Sequence, residues 1–84
     1  MDLKFTDDSW DDYVYWSETD KSIFKKINRL IEECKRHPYF GIGKPEALKF
    51  KMAGYWSRRI TDEHRLVYKV KGDILIITQC RNHY

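Results

Sequence analysis

The last thirty residues, Tyr55 to Tyr84, constrain the fold more than any other stretch: YWSRRITDEHRLVYKVKGDILIITQCRNHY. Their apolar residues alternate with polar ones and are rich in β-branched and aromatic types, the pattern of strands with one buried face. Two polar clusters, around Asp62-Glu63 and Lys71-Gly72-Asp73, break the pattern as turns do. The stretch therefore predicts three consecutive antiparallel strands, and such a sheet needs a cover on one face. The chain closes on Arg81, His83 and Tyr84. Most chains let their last residues fray, so charged and aromatic residues ending a core strand mark a candidate site.

Alternation assigns faces. Trp56, Arg58 and Ile60 share one side of the first strand, and Ser57 and Arg59 the other. Leu66, Tyr68 and Val70 oppose Arg65, Val67 and Lys69. In the last strand, Leu75, Ile77, Gln79, Arg81 and His83 oppose Ile74, Ile76, Thr78 and Cys80. The expected helix-covered face carries Leu66, Tyr68, Ile74 and Ile76, which leaves Arg65, Arg81 and His83 on the open face. Register decides whether Arg59 and His83 join Arg65, because a one-residue slip moves every side chain to the other face. Odd-length or bulged loops are predicted at both turns. Arg65 and His83 on opposite faces would rule out a shared site.

The first half supplies the cover. Leu3–Thr6 is a candidate edge strand. Thr6 and Asp7 are N-cap types, and Asp7, Asp8, Asp11 and Asp12 complement a helix dipole. Trp10, Tyr13, Val14 and Ser17 follow helical spacing and form a core-facing stripe. Glu18-Thr19-Asp20 interrupts it and caps a second helix, whose apolar positions are Ile23, Ile27, Leu30, Ile31 and Cys34. That helix stops near His37, because Pro38 disfavours helical geometry in the residue before it. Residues 38–46, PYFGIGKPE, form a loop. Its Gly41-Ile42-Gly43-Lys44 lacks the full spacing of a phosphate loop. A short strand is predicted around Ala47 to Lys51, with Ala53-Gly54 turning into the main hairpin. The fold class is α+β: a twisted antiparallel sheet with an N-terminal helical hairpin on one face, and residues 1–84 forming one domain.

Charge is unevenly placed. Residues 1–20 hold seven of the thirteen acids and only one of the sixteen bases, Lys4. Fifteen bases against six acids remain in residues 21–84, a body that attracts polyanions or an acidic protein segment. No apolar run approaches the length of a membrane span and nothing resembles a signal peptide, so the expected location is the cytoplasm, with no membrane partner. Cys34 and Cys80 are too few for a disulfide framework and are expected in the core. With His37 and His83 they supply zinc-ligand types. However, Cys80 and His83 are three apart and point to opposite faces of a regular strand, so no metal and no cofactor is expected.

Arginines, a histidine and a carboxylate without metal ligands suit phosphodiester cleavage. In RNA the 2′-hydroxyl can attack its own phosphate. The protein must then take up that proton, stabilise charge on phosphorus and protonate the leaving 5′-oxygen. Glu46 is the candidate base and His83 the candidate acid. Arg65, with Arg59, can fork onto phosphate oxygens. Tyr84 can stack on a base or donate from its hydroxyl. Arg58 and Arg81, on the same strands, are further candidates for binding substrate.

The motifs SWDDYVYW, GKPEALK, YWSRRITDEHRLVY and the terminal CRNHY, in that order, resemble those of the YoeB family of the RelE/ParE toxin superfamily over essentially the whole chain. The resemblance implies a RelE-like sheet with two N-terminal helices and a type II toxin paired with a YefM-type antitoxin. It also implies metal-independent mRNA cleavage at the ribosomal A site, and a homodimer. It carries the base role to Glu46, the phosphate-stabilising role to Arg65, the acid role to His83 and substrate positioning to Tyr84, with Lys49 and Arg59 as supporting basic positions. Two alternatives stay open: a ParE-like gyrase poison, and a non-catalytic module that binds RNA or the ribosome. The gyrase-poisoning branch generally lacks the Glu–Arg–His set, which this chain has.

Overall fold

The structure is a computed structural model that describes residues 1–83. It contains five strands and two α-helices: β1 (Asp2–Phe5), α1 (Asp7–Thr19), α2 (Lys21–Arg36), β2 (Glu46–Ala47), β3 (Trp56–Arg59), β4 (Arg65–Lys71) and β5 (Ile74–Gln79). The strands form one sheet in the order β1-β5-β4-β3-β2. All neighbours are antiparallel except β1, which runs parallel to β5 from Asp2↔Ile74 to Phe5↔Ile77. The sheet is therefore mixed rather than wholly antiparallel. The two helices separate β1 from the rest of the sheet, and alternation within a strand carries no direction for so distant a pairing.

Local chemistry sets the helix ends. The Thr6 hydroxyl accepts from the Ser9 amide at 3.3 Å and starts α1. Asp20 serves both helices. Its amide donates to the Trp16 carbonyl, and its carboxylate accepts from the Ile23 amide at 3.1 Å. The helical hairpin thus turns on one residue. His37 ends α2 directly before Pro38.

The core lies between the helices and the sheet. Trp16, Ile27, Leu30, Ile31 and Cys34 pack on Leu66, Tyr68, Leu75, Ile77 and Cys80. The core face of β5 is thus Leu75 and Ile77, whereas Ile74 and Ile76 were expected there. The cause is the second turn. Lys71 pairs with Ile74 across a two-residue Gly72–Asp73 turn, not an odd-length one, and Tyr68 pairs with Ile77. Gly72, at φ 61°, fits the first position of a type II′ turn. The odd residue sits inside β5 instead. Tyr68 pairs with Ile77 but Val67 with Gln79, so Thr78 is an extra residue in the ladder, a bulge, and its hydroxyl donates to the Val67 carbonyl at 3.2 Å. Beyond it the inward parity switches and Cys80 is buried.

The first turn behaves differently. Arg59 pairs with Arg65 across a connection of residues 60–64, an odd length that leaves both arginines on one face. Farther back, the strand expected over Ala47–Lys51 is only Glu46–Ala47, followed by a 3-10 turn over Phe50–Met52.

Candidate active site

The open face of β2, β3 and β4 carries a cavity of about 320 Å³ lined by Lys44, Glu46, Ser57, Arg59, Arg65 and His83. The ladder explains most of this set. Glu46 pairs with Ser57 and Arg59 with Arg65, so four lining residues stand on neighbouring strands and face the same way. Buried Ser57 lies among charged groups, of which Lys44, Glu46, Arg59 and His83 are exposed and Arg65 is buried.

Arg65 is the fixed cation of the group. It is 8% exposed, and its Nη1 donates to the carbonyls of Thr61 at 2.6 Å, Asp62 at 3.1 Å and His64 at 3.1 Å. Its guanidinium hydrogen bonds to described residues run through Nη1. Arg59 is looser: its side chain is 49% exposed and lies 3.9 Å from the fully exposed Asp62 carboxylate.

The 37–45 loop brings in Lys44. The Arg59 amide donates to the Gly43 carbonyl at 2.7 Å, which docks the loop on β3. A Cβ on Gly43, at φ 81°, would stand 2.8 Å from Leu30 Cδ2 and 3.1 Å from Arg58 Cβ, so only glycine allows this approach. Lys44 follows at φ 52°.

His83 arrives from the end of β5, and two pairs of contacts hold its approach. The Cys80 amide donates to Asp12 Oδ2 at 3.1 Å, and the Cys80 carbonyl accepts from Trp16 Nε1 at 2.8 Å. Two residues on, the Asn82 amide donates to His64 Nδ1 at 2.8 Å, and its carbonyl accepts from the Arg65 amide at 3.0 Å. Asn82 adopts φ 64°, a left-handed conformation that asparagine tolerates better than most residues. The Thr78 bulge and these contacts put His83 in the cavity that Arg65 lines.

Burial shifts the titration of groups near this tail. Desolvation raises the Asp12 carboxyl, against the pull of the Cys80 amide. Burial pushes the Cys80 thiol up to about 12, with the Asp12 charge adding to it.

Of the residues expected at the site, the structure gathers Glu46, Arg59, Arg65 and His83. It places three others elsewhere. Arg58 is fully buried on the helix side of the sheet. Its guanidinium donates to the Tyr68 hydroxyl at 3.1 Å, to the carbonyls of Ile42 at 3.0 Å and Phe40 at 2.9 Å, and to the His37 carbonyl. With those partners it anchors the 37–42 loop and cannot reach a substrate on the open face. Arg81 lies 3.7 Å over the ring of Tyr15 on α1, and Lys49 precedes the 3-10 turn; neither lines the cavity. Tyr84 lies outside the described residues.

Sequence reasoning missed Lys44, Ser57 and His64. Lys44 and Ser57 had signals, two residues from Glu46 and next to Arg58-Arg59 respectively. His64 adjoins Arg65, but its bond to Asn82 joins positions eighteen apart. Among the described residues no group of three or more histidine, cysteine or acidic side chains is placed to hold a metal ion.

Residues 5–84 match the family described as YoeB-like toxin of bacterial type II toxin-antitoxin system. Toxin YoeB of Escherichia coli K12 is 60% identical over 84 residues, covering 100% of both chains. The solved YoeB/ParE toxin from Agrobacterium tumefaciens superposes with a TM-score of 0.98 at 57% identity, again over 100% of both chains. From Staphylococcus aureus, a YoeB–YefM complex matches at TM-score 0.92 and 42% identity, and a YoeB dimer at 0.93 and 44%, each covering 100% of this chain and 98% of the other. The chain belongs to the YoeB toxins of bacterial type II toxin-antitoxin systems.

Proposed function

We propose that this toxin is an endoribonuclease that cuts mRNA in the ribosomal A site, with acid, base and charge stabilisation supplied by side chains of the Glu46–Arg65–His83 cavity. The observation that carries the reading is the facing pair Arg59 and Arg65, with Glu46 and His83 lining the same cavity. Two guanidinium groups opposite each other are suited to hold a phosphate oxyanion.

In the reaction Glu46 takes the proton of the 2′-hydroxyl, whose oxygen attacks phosphorus. Arg65 and Arg59 stabilise the negative charge that builds on the non-bridging oxygens. The bond from phosphorus to the 5′-oxygen breaks as His83, starting protonated, gives its proton to that oxygen. The products are a 2′,3′-cyclic phosphate and a 5′-hydroxyl end. Lys44 adds positive charge at the cavity rim, and Tyr84 positions the substrate. The basic distribution of residues 21–84 supports an RNA substrate.

The YoeB–YefM complex and the YoeB dimer of S. aureus support the choice of partners. A YefM-type antitoxin segment inhibits this toxin, and the toxin pairs as a homodimer. The test is primer extension on an mRNA translated by purified ribosomes. Cuts inside the A-site codon are expected, and a single 2′-deoxy substitution at the attacking nucleotide should abolish them. No cuts, or cuts indifferent to that substitution, would overturn the mechanism.

A further inference from the structure

We infer that His64 is a positioning residue for this site, acting through the neutral Nδ1 of its ring to seat Asn82 and so set where His83 stands; the activity part of this inference rests on the endoribonuclease reading. A backbone amide can only donate. The 2.8 Å contact from the Asn82 amide therefore requires an unprotonated Nδ1, and a neutral imidazole then carries its proton on Nε2. The Arg65 amide takes the Asn82 carbonyl at 3.0 Å. Two successive residues, His64 at the end of the β3–β4 connection and Arg65 at the start of β4, thus hold both backbone polar groups of Asn82, one by a side chain and one by the backbone. The next residue along each chain segment supplies the cavity: Arg65 after His64, and His83 after Asn82.

The ring is itself held from the other layer. It meets Trp16 of α1 edge-on, with centroids 4.7 Å apart and planes at 73°. Trp16 in turn donates to the Cys80 carbonyl, so one tryptophan steadies the ring and the root of the tail together. The backbone at residue 64 does not depend on the ring. Its carbonyl accepts from the Ile60 amide at 3.0 Å, the Thr61 amide at 3.3 Å and Arg65 Nη1 at 3.1 Å. A side-chain substitution at 64 therefore removes the acceptor and leaves the loop that caps Arg65.

Two variants separate the acceptor from simple packing. His64→Asn places an amide oxygen near the former Nδ1 position and gives up the ring contact with Trp16. His64→Leu keeps an apolar contact and gives up the acceptor. If Nδ1 positions the tail, His64→Leu slows single-turnover cleavage on ribosomes by about 10-fold or more with ribosome binding unchanged, and His64→Asn recovers most of the rate. The reverse order, with Leu active and Asn impaired, would show a packing role and overturn the inference. A second readout needs no activity. In the wild-type toxin an NMR coupling across the hydrogen bond should link the Asn82 amide nitrogen to His64 Nδ1, and in His64→Leu the Asn82 amide should lose its exchange protection. A missing coupling in the wild type overturns the inference. Wild-type protein that shows the coupling but cuts no mRNA upholds the placement of the tail and overturns the endoribonuclease reading instead.

Discussion

Arg59 and Arg65 stand directly opposite each other in the β3–β4 ladder, two positive side chains on one open face. Like charges so placed repel and lower stability unless something negative lies between them. The structure contains the two cations unequally: three loop carbonyls hold Arg65, whereas Arg59 is half exposed and only loosely near Asp62.

This asymmetry separates the two positions by experiment. Arg59→Ala should change unfolding free energy by no more than about 0.5 kcal/mol, because exposed pairs such as Arg59–Asp62 contribute little. Arg65→Ala should cost about 1–3 kcal/mol, since it strips donors from the carbonyls of the 60–64 connection. Both should slow RNA cleavage. Urea unfolding and single-turnover cutting, measured on both variants, check the contrast. Equal stability losses would contradict it.

Arg58 should behave in the opposite way. Its charge lies within the protein on four oxygen partners, and Tyr68 links it to the Pro38 carbonyl at 2.5 Å. Arg58→Met should cost about 3 kcal/mol or more, because several buried acceptors lose a charged donor together. Tyr68→Phe should cost about 1–3 kcal/mol for one lost hydroxyl. Differential scanning calorimetry measures both. An Arg58→Met toxin of wild-type stability would contradict the anchoring role.

Alternation along the strands correctly identified the face of Leu66 and Tyr68, and helical spacing identified Ile23, Ile27, Leu30, Ile31 and Cys34. Thr6, Asp20 and Pro38 marked the helix ends because capping is local chemistry. Strict alternation failed in β5, where Ile74 and Ile76 were expected inward. A two-residue turn and the Thr78 bulge together restore the parity of Gln79 and His83, and a bulge leaves no mark in a hydrophobic pattern. Arg58 was read as a substrate contact for a related reason. Its parity pointed to the helix side, but its four partners come from a loop sixteen or more residues away or from a neighbouring strand. The parallel pairing of β1 was invisible on the same grounds. Motif resemblance gathered Glu46, Arg59, Arg65 and His83 without any register, and the ladder supplies the reason they meet.

The two thiols give a pH prediction. Burial pushes Cys34 from an ordinary value of 9.0 up to about 11 and Cys80 up to about 12. Tyr68 is also raised from 10.0, chiefly by burial. In each case the folded state holds its proton more tightly than the unfolded chain. The resulting stability is complete below about pH 9 and is lost as pH rises from there through the folded-state values. Melting temperature should therefore be insensitive to these groups up to about pH 8.5 and should fall above pH 9. At pH 8 a thiol reagent should modify the cysteines only at the rate of unfolding. Rapid stoichiometric labelling of native protein would contradict this burial.

The most direct test of the central claim uses mRNA whose scissile 5′-oxygen is replaced by sulfur, a leaving group that needs no proton. Wild-type toxin and His83→Gln would be compared on ribosomes in single-turnover cleavage of this mRNA and of ordinary mRNA. If His83 is the general acid, the variant should cut ordinary mRNA about 10²–10⁴-fold more slowly and approach the wild-type rate on the sulfur-containing mRNA. A variant equally slow on both, or unimpaired on ordinary mRNA, would contradict the proposed chemistry.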